Sequence, residues 1–271
     1  MQMMSVKNYN EKAEMNVNIP QHANTGLKRL DLFLSRIKKS HPHLIDKIFD
    51  YLNNNWVKLK KIPSLSLVEY EILNEYPILV SKALGTLFAY MDLNAYDLPS
   101  KSETASINVI DYLRSSLFFS YSLIESLLKI MSKEEAINYY KDYIDTITKS
   151  SRDPSQYLEN LEAMRPSGEE FQNRFQSHDF INFSIHSGKI GTKTTKCKWH
   201  EVMKELKDPE LSYAVCCHYD FEATLNMNPN FVLTRNQTLM EGAPYCDFCY
   251  HDLRLVDSIE HPPKEFWEQL K

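Results

Sequence analysis

Apolar residues along the first two thirds of the chain recur at helical spacing. Leu113, Leu117, Tyr121, Ile124 and Leu128 form one such stripe, and residues three or four apart share one face of a helix. Start signals punctuate the pattern. Ser66-Leu-Val-Glu69, Ser132-Lys-Glu-Glu135 and Ser167-Gly-Glu-Glu170 have the capping-box form, in which a hydroxyl and a carboxylate each satisfy a free amide at a helix start. Asp153-Pro154 offers an N-cap followed by proline at the first helical position. Pro77 is expected to kink or split the segment 67–94, because proline lacks an amide donor. Residues 25–179 therefore read as a helical region. The polar residues 1–24 before it are expected to form a flexible, fraying terminus.

The pattern changes after Asp179. Phe180–Ile190 alternates apolar and polar positions and ends at Gly188 and Gly191, which predicts a strand. Trp199–Leu206 predicts a short helix, and Asp208-Pro209 opens a second that runs to about Leu225. Asn228-Pro229-Asn230 marks a turn. Phe231–Leu239 has the composition of a strand, and after Met240–Pro244 the chain returns over Tyr245–Leu255 as an antiparallel partner. The predicted fold class is α+β: a helical N-terminal half, then residues 180–271 with a small antiparallel sheet and helices.

Composition narrows the function. A net charge of −5 and a pI near 6.0 argue against a general nucleic-acid binder. The nine Lys/Arg against three Asp over residues 25–61 fit a solvated helical face. None of the six glycines builds G-x-G-x-x-G or G-x-x-x-x-G-K-[ST], so the common phosphate cradles are absent and no cofactor is expected. The most apolar stretch, Leu117–Ile130, contains Glu125 and falls short of the ~18–20 apolar residues of a membrane span. Five cysteines without an export signal imply free thiols in a reducing cytoplasm. The expected partner is a small-molecule substrate, with neither nucleic acid nor membrane; homo-oligomerisation is left open.

All five cysteines lie between Cys197 and His251, together with three histidines. Soft, titratable side chains serve as nucleophiles, proton carriers or metal ligands. On the predicted helix, Cys216 and Cys217 fall four and three residues before Asp220, within reach of its face. His218 and Glu222 form a separate i,i+4 pair. Arg235 is either a solvent-facing charge or a planar fork aimed at a carboxylate. Cys246 opens the return strand beside Gly242; it is either a nucleophile or a small buried hydrophobe. Cys197-x2-His200 and Cys246-x2-Cys249 each have half-zinc-site spacing. Residues three apart on a strand point to opposite faces, so no metal is expected.

Several of these elements, taken in order, resemble the L-2-amino-thiazoline-4-carboxylic acid hydrolase family. They are Cys197-x2-His200, Asp208-Pro209-Glu210-Leu211, Cys217-x2-Asp220, Asn228-Pro229, Leu233-Thr-Arg235, Thr238-Leu239-x2-Gly242 and Cys246-Asp247-Phe248. The resemblance covers about residues 195–252. It implies a metal-independent hydrolase that opens a cyclic isothiourea bearing a carboxylate. By this resemblance Cys246 is the nucleophile or site thiol, with Asp220 and Cys217 close by. Arg235 holds the substrate carboxylate and Thr238 adds a hydroxyl hydrogen bond. Asp247 is a second acid/base group or a partner of Arg235, and His200 and His218 are proton carriers. Asn236 stands where a threonine is more usual. Two rival readings remain: a non-catalytic small-molecule binding protein and a zinc-stabilised interaction protein.

Overall fold

The computed structural model of the protein describes residues 3–58, 70–93 and 104–270. In chain order they form β1 (Met3–Lys7), β2 (Glu14–Asn18), α1 (Ile19–Ser40), α2 (Ile45–Asn55), α3 (Pro77–Tyr90), β3 (Thr104–Asn108) and α4 (Val109–Leu127). Then follow α5 (Lys133–Ser150), α6 (Met164–Phe175), β4 (His178–His186), β5 (Lys189–Cys197), α7 (Lys198–Met203), α8 (Pro209–Cys216) and α9 (Tyr219–Met227). The chain closes with β6 (Phe231–Thr234), β7 (Cys246–Asp252) and α10 (Lys264–Glu268). Helices dominate the N-terminal half and an antiparallel sheet with helices the C-terminal part, an α+β arrangement. By contacts the chain divides into two compact units, Glu14–Tyr143, and Met1–Ala13 with Ile144–Lys271.

The Glu14–Tyr143 unit is mainly helical. Asn18 starts α1 by accepting the Gln21 amide at 2.8 Å, with Pro20 in the first turn. Pro77 opens α3 after a 3-10 turn over Leu73–Glu75, so of the two expectations it splits the segment and does not kink a helix. Four residues of the predicted stripe, Leu113, Leu117, Tyr121 and Ile124, are on the buried face of α4, whereas Leu128, just past its end, is exposed. Ser132 and Glu135 form the predicted capping box, each accepting the other's amide at 3.3 and 2.9 Å. The signature at Ser66–Glu69 lies outside the described residues.

The other unit is built on a five-stranded sheet of order β1-β4-β5-β7-β6, antiparallel throughout. Residues 3–7, where the sequence predicts fraying, are its edge strand and pair with 179–183 of β4. The strand predicted over Phe180–Ile190 is a hairpin: β4 turns at Gly188, whose φ of +80° suits glycine, into β5. Gly191 is no turn. It sits within β5 opposite Phe183, and an added Cβ would stand 2.2 Å from that ring.

Three helix predictions shift. Asp153-Pro154 caps only a single 3-10 turn over Pro154–Gln156. α6 begins at Met164, ahead of Ser167. The helix predicted from Pro209 to Leu225 starts as expected, Asp208 accepting the Glu210 and Leu211 amides at 3.1 and 3.2 Å, but it breaks into α8 and α9 at Cys217-His218.

Alternation gives the sheet two faces. Asp247, Cys249 and His251 point to one, with Lys193, Gly191 and Lys189 opposite them on β5. Trp267 of α10 covers that face, packing with Ile181, Phe183, Tyr245, Cys249 and Leu270. Lys193 Nζ is satisfied there by the Trp267 and Leu270 carbonyls at 2.8 and 2.7 Å, a cation at a helix C-terminus. Cys246, Phe248 and Tyr250 point to the other face, where Ile190, Phe231 and Leu161 form a second core. Among the described residues no helix is long and apolar enough to cross a membrane.

Candidate active site

Arg235 organises the second face. β6 ends at Thr234, so Arg235 opens the following loop and does not lie on the strand. Its Nη1 donates to Asp220 Oδ2 at 2.6 Å; its Nη2 donates to the Tyr213 hydroxyl at 3.0 Å and the Cys217 carbonyl at 2.9 Å. The guanidinium carbon lies 5.0 Å from the Phe248 ring centre, 5.1 Å from that of Phe221 and 5.4 Å from that of Tyr213. An arginine side chain only 1% exposed is held by charge, hydrogen bonds and three aromatic faces together. The bond to Cys217 supplies a physical reason for the break between α8 and α9: that carbonyl is turned to the guanidinium. Arg235 Nε is buried without a partner.

Cys246 and Cys217 both lie within reach of this cation's charge. Burial pushes the Cys246 thiol up to about 12; the Leu239 amide, which donates to its sulfur at 3.2 Å, and the Arg235 charge oppose that rise. Asp220 and Cys217 lie close enough for their charges to raise it further. Cys216 is raised first by its hydrogen bond to Cys217 and then by burial. Burial raises Cys197 well above the ordinary thiol value, and it feels Cys246 and Cys217. Burial also lifts the Asp220 carboxyl above its usual range, against the pull of Arg235. That side chain is 35% exposed. The cluster thus combines a fixed cation, a carboxylate open on one side, and a Cys246 thiol that rests protonated.

The remaining candidates are placed elsewhere. Asp247 does not pair with Arg235: alternation sends it to the opposite sheet face from Cys246. There its Oδ1 accepts the Asn236 and Gln237 amides at 2.9 and 3.0 Å. Thr238 caps a 3-10 turn, its hydroxyl donating to Glu241 Oε2 at 2.7 Å and accepting the Glu241 amide at 3.2 Å. His218 Nε2 meets Asp145 Oδ1 at 2.9 Å. Glu222, read as its partner, instead pairs with Arg152 at 2.8 Å and Lys149 at 3.3 Å. His200 sits half-buried on α7, and burial lowers its pKa. Cys249 is fully buried on the Asp247 face, so Cys246 and Cys249 form no knuckle. Among the described residues no three His, Cys, Asp or Glu groups converge as a metal site.

The family model described as L-2-amino-thiazoline-4-carboxylic acid hydrolase matches residues 112–250, just over half of the chain. The chain belongs to this family. Tyr213, Asp220, Arg235 and Cys246 all fall within the L-2-amino-thiazoline-4-carboxylic acid hydrolase match; His251 and His261 lie beyond it. No curated protein matches the chain. Among solved structures, Fe(II) unliganded H-NOX protein from K. algicida aligns over 88% of this chain and 99% of that one, at 10% identity. Its TM-score of 0.27 is too low to bear on fold or chemistry.

Sequence reasoning passed over four side chains. Tyr213 shares Arg235 with Asp220. Thr234, His251 and His261 form a polar chain on the Asp247 face. Thr234 Oγ1 lies 2.9 Å from both His251 Nε2 and His261 Nδ1, and His261 Nε2 lies 3.2 Å from Asp247 Oδ2. Tyr213, three residues after the Asp208-Pro209-Glu210 start and four before Cys217, carried a helical-face signal. The link between positions 234 and 261 had no local signal.

Proposed function

We propose that this protein hydrolyses a C–N or C–S bond of a small cyclic amidine-like or amide-like carboxylic acid, using a thiol and a carboxylate. The observation that carries this reading is the Arg235–Asp220 pair, both of whose charges act on the Cys246 thiol. The family's name points to the substrate type: a thiazoline acid whose ring carbon lies between nitrogen and sulfur.

Cys246 rests as a neutral thiol, so its use as a nucleophile needs a base. Asp220 is that base. The Cys246 sulfur bonds the ring carbon while its proton passes to Asp220. The ring C–S bond then breaks, and Asp220 returns the proton to the departing sulfur. Water adds to the isothiourea now carried on Cys246; its collapse forms the urea carbonyl and regenerates the thiol. One water is consumed and the enzyme is restored. Arg235 keeps Asp220 in place and serves the substrate carboxylate through N–H groups that the protein leaves unused, the Nε–H among them.

The test is turnover of L-2-amino-thiazoline-4-carboxylic acid by the intact chain and two variants. Cys246→Ser and Asp220→Asn should each lower kcat by about 100-fold or more, the usual scale for losing a nucleophile or base. If both variants keep wild-type turnover, the reading fails. One observation favours a non-catalytic binding protein instead: the three donors of Arg235 used in this site all go to the protein's own groups. That reading predicts thermal stabilisation by the same compound with no product formed.

A further inference from the structure

Arg235 is gripped from the far side of the sheet. The residue before it, Thr234, places its Oγ1 2.9 Å from His261 Nδ1. The two residues after it, Asn236 and Gln237, give their amides to Asp247 Oδ1 at 2.9 and 3.0 Å. Asp247 Oδ2 and His261 Nε2 stand 3.2 Å apart, and because Nε2 has no aligned hydrogen bond the contact is one of charge and dipole. His261 is itself fixed by stacking on Trp267, centroid to centroid 5.4 Å at 18°. Thr234 Oγ1 also lies 2.9 Å from His251 Nε2, so His261 shares the hydroxyl before Arg235 with a second imidazole, while Asp247 alone holds the two amides after it.

We infer that His261 and Asp247 form a clamp that positions Arg235, so that residues on one face of the sheet set the geometry of the site on the other. They are positioning residues: neither reaches Cys246 or Asp220, and both act through the backbone of 234–237. The reason for such a device is plain from the loop. Arg235 lies past the end of β6, so no ladder hydrogen bond fixes its φ and ψ. Its contacts to Asp220, Tyr213 and Cys217 require its Cα to be held in place before the guanidinium can reach all three. Site groups supported by a second layer of hydrogen bonds hold their geometry far better than groups on free loops. His261 lies beyond the family match, so this chain recruits part of its clamp from outside the matched segment.

The inference rests on the reading of Arg235 as the group that orients substrate, and its test separates the two. The Arg235 Nε–H proton, buried and assigned by its loss in Arg235→Lys, is followed by nitrogen–proton NMR in the full chain. In His261→Ala the clamp predicts a broadened Arg235 signal with solvent exchange at least about 10-fold faster, and restoration by added imidazole. If His261→Ala does not fold, His261→Gln, which keeps the bulk and loses the imidazole, decides the matter with the same expected change, and His251→Gln, which leaves the His261 contact to Thr234 intact, should leave the Arg235 signal unchanged. With L-2-amino-thiazoline-4-carboxylic acid as substrate, KM should rise about 10-fold, because lost orientation of a bound carboxylate weakens binding, and kcat should fall as well, because Arg235 also holds Asp220. Mere loss of folded protein would lower kcat and leave KM alone. An unchanged Arg235 signal in a folded variant overturns the clamp and leaves the proposed function standing. A perturbed Arg235 signal in a protein that never turns over the substrate supports the clamp and removes the proposed function.

Discussion

Arg235 donates to Asp220 across 2.6 Å, yet the two partners differ sharply in their access to water: the arginine side chain is 1% exposed and the aspartate 35%. The pair is therefore asymmetric. Removing the aspartate strands a buried cation, whereas removing the arginine leaves a carboxylate that water can still reach. An uncompensated buried charge costs roughly 3–5 kcal/mol.

Asp220→Ala should accordingly destabilise the protein by about 3 kcal/mol in urea unfolding at pH 7. Arg235→Met, which keeps much of the contact with Phe221 and Phe248, should cost at least about 1 kcal/mol less, since no charge is left fully buried. Equal losses would show that the pair is not asymmetric in this way.

Gly191 is the second sensitive point. Its missing Cβ leaves room for the Phe183 ring, and a methyl group there would meet ring atoms at 2.2 and 2.4 Å. Gly191→Ala should lower stability by about 1–3 kcal/mol, the usual cost of overpacking. Adding Phe183→Leu should recover part of that loss. A Gly191→Ala protein with wild-type thermal stability would contradict the packing described.

Stability should fall as the solution is acidified, and His251 should account for part of the fall. Burial holds its pKa down, from 6.5 to about 4, and the Lys189 charge adds to this. Above pH 6.5 the imidazole is neutral whether the chain is folded or not. Between pH 6.5 and 4 the unfolded chain takes up a proton that the folded one refuses, so stability is lost progressively across that window. The loss reaches about 3 kcal/mol for one such group. Urea unfolding at several pH values should show a shallower slope in His251→Gln than in the parent; His22 and His178, also lowered by burial to about 4, and Asp252, lowered by its bond to Arg254, add to the fall.

Alkylation offers a separate check. Burial lifts both Cys246 and Cys249 to about 12, so thiolate is scarce at neutral pH. In the native protein at pH 8, iodoacetamide should modify these two cysteines at least ~100-fold more slowly than a free cysteine of pKa about 8.5. Rapid labelling of Cys246 in the resting protein would contradict the protonated thiol from which the proposed mechanism starts.

Local signals carried much of the fold. The Ser132–Glu135 box, the Asp208 cap, the Asn228-Pro229-Asn230 turn and the β6–β7 return all depend on neighbours in sequence. What failed depended on distant partners. β1 forms because β4, some 170 residues on, offers it an open edge. Gly188 and Gly191 look alike in the sequence, and only the Phe183 ring separates a turn glycine from a strand glycine. The break between α8 and α9 occurs where the Cys217 carbonyl meets Arg235. The same limit applies to the site. Cys217, Asp220, Arg235 and Cys246 were legible because their side chains have few uses other than chemistry or pairing. Asp247, an acid/base group or a partner of Arg235 by its sequence, lies by strand alternation on the sheet face opposite Cys246 and holds the Asn236 and Gln237 amides instead of Arg235. Thr234 and His261 meet only after the chain passes the sheet and comes back along its other face.

The central claim is that Cys246 is the sulfur that reacts, in one site with Asp220 and Arg235. Rapid-quench mass spectrometry of the intact protein mixed with L-2-amino-thiazoline-4-carboxylic acid tests it most directly. The account predicts a covalent adduct of substrate mass on the peptide containing Cys246, absent in Cys246→Ser. Steady turnover by Cys246→Ser, or an adduct confined to another cysteine, would contradict it.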